Sequence, residues 1–153
     1  PRAVGTRARM IEESKRFRVI NTTTHGVISD DDFCTYELLY EDSYPGAKKI
    51  NEFIENYVKE NFTREKVKEY FAGKNVDIDS DDVYFELGGT DFYTTDLGGK
   101  YINFSAGKLV AIRKDKIDGS YVESSFTYPY SCDVYFDPQT GEQIDSNNVE
   151  RYS

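Results

Sequence analysis

The chain has 153 residues, a length that favours one domain with a sizeable core. Aromatic residues make up 15% of it, which argues against disorder although the hydrophobic fraction is only 38%. The formal net charge of -9 argues against nucleic-acid and anionic membrane partners; it favours a basic protein or a cation, or simply keeps the domain soluble.

The charge is unevenly distributed along the chain. Residues 1–18 contain six Arg and Lys against two Glu, a balance of +4. Since the whole chain has a net charge of -9, the remaining residues carry -13. We expect residues 1–16 to be a basic arm or linker remnant and residues 17–153 to be a single domain.

Because the chain begins at Pro1 rather than Met, we expect a trimmed or processed piece, and membrane attachment only through a segment before Pro1. No apolar run approaches the roughly 20 residues that span a bilayer.

Two strands are predicted before the first helix, at residues 17–21 and 33–41. In the second strand Tyr36 and Leu38 alternate with Thr35 and Glu37, the period of a half-buried strand. Residues 22–32 are polar and include the only histidine, His25, so we predict a turn-rich connection there.

Residues 44–73 are predicted to form a pair of helices. The first carries an apolar stripe at helical spacing, formed by Ile50, Phe53, Ile54, Tyr57 and Val58. Pro45 suits its first turn, where the missing N–H has no partner to lose. Thr63 is the expected N-cap of the second helix, which directs Val67, Tyr70 and Phe71 inward and ends at Gly73.

After Gly73 the pattern changes to short strands separated by turns. We predict strands at residues 83–87, 92–95, 101–104, 108–113, 120–128, 132–136 and 142–144. Ser105-Ala106-Gly107 is interpreted as a three-residue hairpin loop, Asp118-Gly119 as a turn, and residues 137–141 as a further tight turn. The predicted fold class is therefore α+β, with an amphipathic helix pair packed on a mainly antiparallel, meandering β-sheet.

Nucleophilic catalysis has little support in the sequence. His25 lacks a Gly-x-Ser-x-Gly partner, and both Cys34 and Cys132 are assigned to the core face of strands. The two cysteines could form one disulfide or remain free thiols. We expect no catalytic residue, no cofactor and no metal centre.

An acidic run at residues 77–82 has the alternate spacing of an oxygen-ligated calcium loop. Its members are Asp77, Asp79, Asp81 and Asp82. It lacks the glycine and the terminal glutamate of an EF-hand, so a solvated acidic loop is the simpler interpretation.

Aromatic residues beside turns are the remaining unusual feature. A tyrosine on a rigid loop offers a large contact area at low entropic cost, although the same tyrosines could instead cap the core. The residues predicted to form the contact surface are Tyr128, Pro129, Tyr130, Asp79, Asp81 and Asp82.

Two short motifs resemble an extracytoplasmic domain pair of Gram-positive bacteria, found in RsiV-type anti-sigma factors and beside some peptidoglycan deacetylases. Tyr44-Pro45 followed by residues 50–54, Ile-Asn-Glu-Phe-Ile, resembles its start. Residues 135–144, Tyr-Phe-Asp-Pro-Gln-Thr-Gly-Glu-Gln-Ile, are similar to its closing Tyr-x-Asp-x-x-Thr-Gly-x-x-Ile turn. Residues 124–128 depart from the family, which has a Gly-Ala-His-like stretch there.

The resemblance implies a non-catalytic sensor or binding domain outside the cytoplasmic membrane, in the cell envelope. In the RsiV type the ligand is lysozyme, a strongly basic protein that suits an acidic domain. Two alternatives stay open from the residues themselves: a carbohydrate-active enzyme that works through carboxylates, and a cytosolic acidic interaction or immunity protein.

Overall fold

The computed structural model describes residues 23–149. The expected basic arm at residues 1–16 and the strand predicted at residues 17–21 lie outside this range. The described elements, in chain order, are β1 (Thr24–Ile28), β2 (Thr35–Leu39), α1 (Ala47–Asn61), α2 (Arg64–Ala72), β3 (Val83–Phe85), β4 (Phe92–Leu97), β5 (Tyr101–Ala106), β6 (Val110–Ile117), β7 (Ser120–Thr127), β8 (Cys132–Phe136), β9 (Gln143–Ile144) and a short 3-10 helix, Ser146–Asn148.

The strands are divided among three antiparallel sheets. Their orders are β1-β2, β3-β6-β7 and β4-β5-β8-β9. The first and third sheets are joined where the Thr35 hydroxyl donates to an Asp91 carboxylate oxygen at 2.6 Å and the Thr94 hydroxyl donates to the Glu37 carbonyl, also at 2.6 Å. The helix pair packs against these sheets, so the predicted α+β class is confirmed.

The helix pair follows the predicted pattern closely. The residues that α1 buries are Ala47, Ile50, Asn51, Ile54 and Val58. Phe53 and Tyr57, at the side of this stripe, are half-buried and pack against the core. Thr63 caps α2 as expected, since its side chain accepts a hydrogen bond from the Lys66 N–H at 3.2 Å, and Gly73 follows the last turn.

The start of α1 differs from the prediction. Pro45 lies in the turn before the helix and Gly46 is the N-cap. The Gly46 N–H donates to the Pro138 carbonyl at 2.8 Å, and a Cβ on Gly46 would lie 2.2 Å from the Gly141 nitrogen. A side chain at position 46 is therefore excluded by the turn between β8 and β9, where Gly141 adopts φ +75°.

Two sequence predictions in the strand regions are wrong. Residues 22–32, expected to be a connection, contain β1, which pairs with β2 over its whole length. Ser105-Ala106-Gly107 is not a hairpin loop, because β5 and β6 belong to different sheets. Gly107 is needed for close packing instead: an added Cβ would lie 3.3 Å from the carbonyl oxygens of Gly88 and Asp91.

Aromatic side chains dominate the core between the helices and the sheets. Phe62, at the junction of the two helices, contacts Phe92 edge-on at a centroid distance of 4.5 Å and Tyr128 at 5.4 Å. Phe53 of α1 meets Phe136 of β8 at 5.1 Å. Edge-to-face pairs of this kind add to the stabilisation from buried area.

Within residues 23–149, no helix has the length and apolar character that crossing a membrane requires.

Candidate protein-interaction surface

The loop after β7 carries three of the predicted contact residues, but it buries one of them. Tyr128 is only 2% exposed, and its hydroxyl donates to the Asn61 carbonyl at 2.5 Å. Pro129 and Tyr130 are exposed, with Tyr130 49% accessible. The prediction that the Tyr128 side chain forms part of a contact surface is therefore wrong, because this ring fills the space between α2 and the helix junction.

Burial also changes the chemistry of this loop. It raises the pKa of Tyr128 to about 12, helped by the nearby Tyr130 and Tyr70 hydroxyls. The Tyr57 hydroxyl donates to the Tyr130 carbonyl, and the Tyr70 hydroxyl lies 3.5 Å from the Thr127 carbonyl. The loop backbone is thus held to both helices while the Tyr130 ring remains accessible.

The acidic loop is partly neutralised by α2. Asp79 accepts hydrogen bonds from the Arg64 guanidinium and the Lys68 ammonium, both at 2.5 Å. The Lys68 hydrogen bond, followed by that of Arg64, lowers the pKa of Asp79. Asp81 and Asp82 are exposed, so they are the predicted residues of this loop that still present negative charge.

The acidic loop does not form a ready-made cation site, because its carboxylate and hydroxyl groups bond to its own backbone. The Asp77 carboxylate accepts from the Asp79 N–H at 3.0 Å, and the Ser80 hydroxyl accepts from the Asp82 N–H at 3.2 Å. These are the side-chain-to-backbone bonds of ordinary polar turns. In the part of the chain that the structure describes, no three His, Cys, Asp or Glu side chains converge on one point.

The two predicted contact patches lie on different sides of α2. Arg64 and Lys68, which hold the acidic loop, are one turn apart on the helix. Tyr70, which contacts the aromatic loop, is about 160° around the helix axis from Lys68. A partner that contacts both patches would have to reach across α2.

The side chains considered for nucleophilic chemistry are not brought together. The His25 ring packs against the Tyr40 ring in a tilted arrangement at a centroid distance of 4.8 Å, whereas Cys132 begins β8 in another sheet. The two cysteines are not joined by a disulfide, and Cys34 is fully buried. Burial, aided by the Asp133 charge, raises the pKa of Cys132 to about 11, the opposite of what a nucleophilic thiolate requires.

Two acidic residues line one cavity. It has a volume of about 260 Å³ and lies between the β1-β2 hairpin, the start of α2 and β3. Asp32 and Asp81 both line it, together with Arg64 and Tyr84. The hydroxyl oxygen of Thr90, another lining residue, is buried and has no hydrogen-bond partner among the described residues.

A further surface was missed by sequence reasoning. The hairpin of β6 and β7 extends beyond β3, which pairs only with residues 111–113 of β6. We call its outer part, residues 114–123, the β-arm. Three large apolar side chains are exposed on it: Ile117 at 54%, Tyr121 at 69% and Val122 at 46%. The sequence signal was the mixture of charged and apolar residues around Asp118-Gly119 without the alternation of a half-buried strand.

Comparison of the chain with protein-family models, with curated proteins and with solved structures finds no significant match in any of the three.

Proposed function

We propose that this chain is a non-catalytic, extracytoplasmic binding or sensor domain that recognises a basic protein, with lysozyme as the specific candidate. The observation that carries the proposal is the aromatic loop, in which the buried Tyr128 anchors an exposed Pro129 and Tyr130. An aromatic side chain held ready on a fixed backbone loses little conformational entropy when a partner binds. The resemblance to RsiV-type anti-sigma factors gives the proposal its ligand and its compartment.

Charge supports the same class of partner. The net charge of -9 attracts a basic protein and accelerates its encounter with the domain. Asp81 and Asp82 are exposed on the loop before β3, while Asp79 is already paired with two cations of α2. We therefore assign the attractive charge of this loop to Asp81 and Asp82 rather than to Asp79.

Calorimetric titration with a c-type lysozyme, at low and at physiological salt, tests the proposal. Binding that persists at physiological salt supports specific recognition, because attraction between net charges alone is screened beyond about 8 Å. Binding that disappears with salt would reduce the interaction to charge alone. No binding at either salt would remove lysozyme as the ligand.

Two pairs of variants locate the contact. Tyr130→Ala should weaken binding about tenfold, equivalent to about 1.4 kcal/mol. The control is Tyr40→Ala, since Tyr40 has a similar exposure of 46% on another part of the domain. Equal losses in both variants would place the contact elsewhere.

The second pair compares charges at equal net charge. Asp81→Lys combined with Asp82→Lys should weaken binding and flatten its salt dependence. Glu41→Lys combined with Asp42→Lys makes the same change in net charge at exposed positions beyond β2. If the two double variants behave alike, only the overall charge matters and the acidic loop is not a contact.

A carbohydrate-active enzyme remains the second candidate because Asp32 and Asp81 line one cavity. Paired carboxylates can serve as acid and base, or as acid and nucleophile, in glycoside hydrolysis. The cavity volume of about 260 Å³ lies just below the usual range for ligand sites. Release of reducing ends from peptidoglycan that is abolished by Asp32→Asn or Asp81→Asn would favour this candidate over the binding domain.

A further inference from the structure

The cavity of about 260 Å³ between the β1-β2 hairpin, α2 and β3 lies where two acidic loops meet. Residues 30–32 and 77–82 together contain seven aspartates and no basic residue. Arg64 holds both loops, since its backbone N–H donates to an Asp31 carboxylate oxygen at 2.5 Å and its guanidinium donates to Asp79, also at 2.5 Å. The fold thus concentrates at one cavity a negative charge that is divided between two distant parts of the sequence.

The charge balance around this cavity favours a cationic ligand. Arg64 and Lys68 of α2 both bond to Asp79, so seven aspartates against two cations leave a local balance of -5. Of the described residues that line the cavity, Arg64 alone is basic, and its charge is balanced by Asp79. An anionic ligand would instead meet the negative side chains of Asp32 and Asp81, which are both lining residues.

The lining residues differ in burial, which gives the cavity a floor and a mouth. Phe33, Ile78 and Thr90 are buried, and they form the floor. Asp32 and Asp81 are exposed, so the negative charge lies at the mouth. A ligand that suits this arrangement carries its cationic group outermost and an apolar part further in, as amphipathic side chains do at protein surfaces.

Two phenylalanines give the inner wall an aromatic character. Phe33 and Phe85 both line the cavity, and their rings meet edge-on at a centroid distance of 5.7 Å. Val83, also half-buried, lies two residues before Phe85 on β3 and completes this apolar wall. Because aromatic rings favour further edge-to-face contacts, the wall suits a ligand whose apolar part is itself a ring.

The Thr90 hydroxyl is a polar group at the floor that the fold does not explain. Thr90 is 1% exposed, and its hydroxyl oxygen has no hydrogen-bond partner within residues 23–149. Its backbone carbonyl accepts from the Thr35 N–H at 3.0 Å, which fixes the position of the residue. A buried hydroxyl without a partner is destabilising and uncommon. A hydrogen-bonding group of a ligand at the floor would supply the missing partner.

We propose that this cavity binds a small arylalkylamine with a hydroxyl group on its ring. The ammonium group lies at the mouth beside Asp32 and Asp81, the ring packs against Phe33 and Phe85, and the ring hydroxyl bonds to the Thr90 hydroxyl. The volume of about 260 Å³ limits the ligand to a small molecule. This site is independent of lysozyme recognition, because the aromatic loop lies on another side of α2.

Calorimetric titration of the whole chain with three matched probes tests the class of ligand. Tyramine has all three parts, phenylethylamine lacks the hydroxyl, and phenylpropionate carries a carboxylate in place of the ammonium group. We expect a dissociation constant on the order of 100 µM for tyramine, roughly tenfold weaker binding of phenylethylamine, and no binding of phenylpropionate at about 10 mM. Equal binding of phenylethylamine and phenylpropionate, or no binding of either amine, would overturn the proposal.

Asp81→Asn tests the mouth of the cavity. Loss of this charge should weaken tyramine binding about fivefold, the size expected for an exposed ion pair. Asp42→Asn makes the same change in net charge at an exposed position beyond β2, and should alter binding less than about twofold. Tyr130→Ala should bind tyramine as the original chain does. Equal losses in Asp81→Asn and Asp42→Asn would show that only the overall charge attracts the amine, which contradicts the proposed site.

Thr90→Val tests the floor, because it replaces the unpartnered hydroxyl by a methyl group of similar shape. The variant should be at least as stable as the original chain in urea unfolding, since no hydrogen bond within residues 23–149 is lost. Tyramine should lose its roughly tenfold advantage over phenylethylamine, while phenylethylamine binding stays unchanged. A general loss of structure would weaken both amines alike. An advantage of tyramine that survives in folded Thr90→Val would overturn the assignment of Thr90 to the ligand hydroxyl.

Discussion

At the scale of single residues, Asn51 shows how a polar side chain can be part of a core. It lies on the buried face of α1 and is 9% exposed. Its amide nitrogen donates to the Leu39 carbonyl at 2.8 Å, and its amide oxygen accepts from the Leu39 N–H at 2.9 Å. The side chain thereby pairs both backbone groups of the last residue of β2, as a neighbouring strand would.

Replacing Asn51 by Ala should destabilise the domain by roughly 2–4 kcal/mol, because both Leu39 backbone groups would be left buried without partners. Urea unfolding monitored by circular dichroism measures the loss. Asn56→Ala, at an exposed position of the same helix, controls for the change in helix propensity and should cost little. A loss of similar size in the two variants would contradict this role of Asn51.

The same residue marks what the sequence could not reveal. The apolar stripe predicted which face of α1 is buried, because the spacing of Ile50, Ile54 and Val58 is local information. The burial of Asn51 depends on the end of β2, which only the tertiary fold brings near. Tyr128 is the converse case, an aromatic side chain predicted at the surface and found in the core. Nothing in the local sequence decides whether a tyrosine beside a proline is buried or exposed.

At the scale of elements, the turn of the β-arm depends on two residues with positive φ. Asp118 has φ 51° and Gly119 has φ 82°, the combination of a type I′ turn between β6 and β7. This turn matches the right-handed twist of the paired strands. Asp tolerates the left-handed conformation, whereas a β-branched residue does not.

Asp118→Val should therefore weaken the β-arm by about 1–2 kcal/mol, while Asp118→Asn should leave it unchanged or slightly stronger. Amide hydrogen exchange within residues 114–123 is the suitable measurement, because the effect is local. Faster exchange in Asp118→Val, with exchange in α1 unchanged, is the expected result. Uniformly faster exchange in both regions would mean that the arm and the core unfold together.

The elements also show where sequence patterns suffice. The Asp118-Gly119 turn and the Thr63 cap were predictable because each is a local conformational preference. The separation of β5 and β6 into different sheets was not predictable, since a glycine between two strands serves equally for a hairpin and for a close crossing between sheets. The segment of β1 was missed because Thr24 and His25 are polar, yet they pair with Leu39 and Leu38 in a two-stranded sheet.

At the scale of the whole molecule, the core contains several weak acids that are held neutral. Burial raises the pKa of Cys132 from its ordinary 9.0 to about 11, and that of Tyr128 from 10.0 to about 12. Burial, with a contribution from the Glu55 charge, does the same to Tyr36, whose pKa is also about 12. The pKa of Tyr57 is raised in the same direction, again mainly by burial.

Stability should therefore decline on the alkaline side. A raised folded-state pKa means that the unfolded chain releases its proton first, so the stabilisation is complete below pH 9 and is lost between about pH 9 and 12. The urea midpoint should be constant from pH 7 to 9 and fall from pH 9 to 11. Cys132→Ala should reduce the fall near pH 9 to 10 and leave the later part, due to tyrosines, intact. A midpoint that does not change up to pH 11 would contradict this account.

The close approach of Gly46 to Gly141 has a consequence for biosynthesis. The two motifs on which the family resemblance rests are adjacent in the fold, because the Gly46 N–H at the start of α1 donates to the Pro138 carbonyl. A ribosome completes α1 long before residues 138–141 emerge from the exit tunnel. The hydrogen bond from Gly46 to Pro138 can therefore form only after almost the whole described chain has been translated. A nascent chain stopped before β8 would lack the contact that fixes where α1 begins.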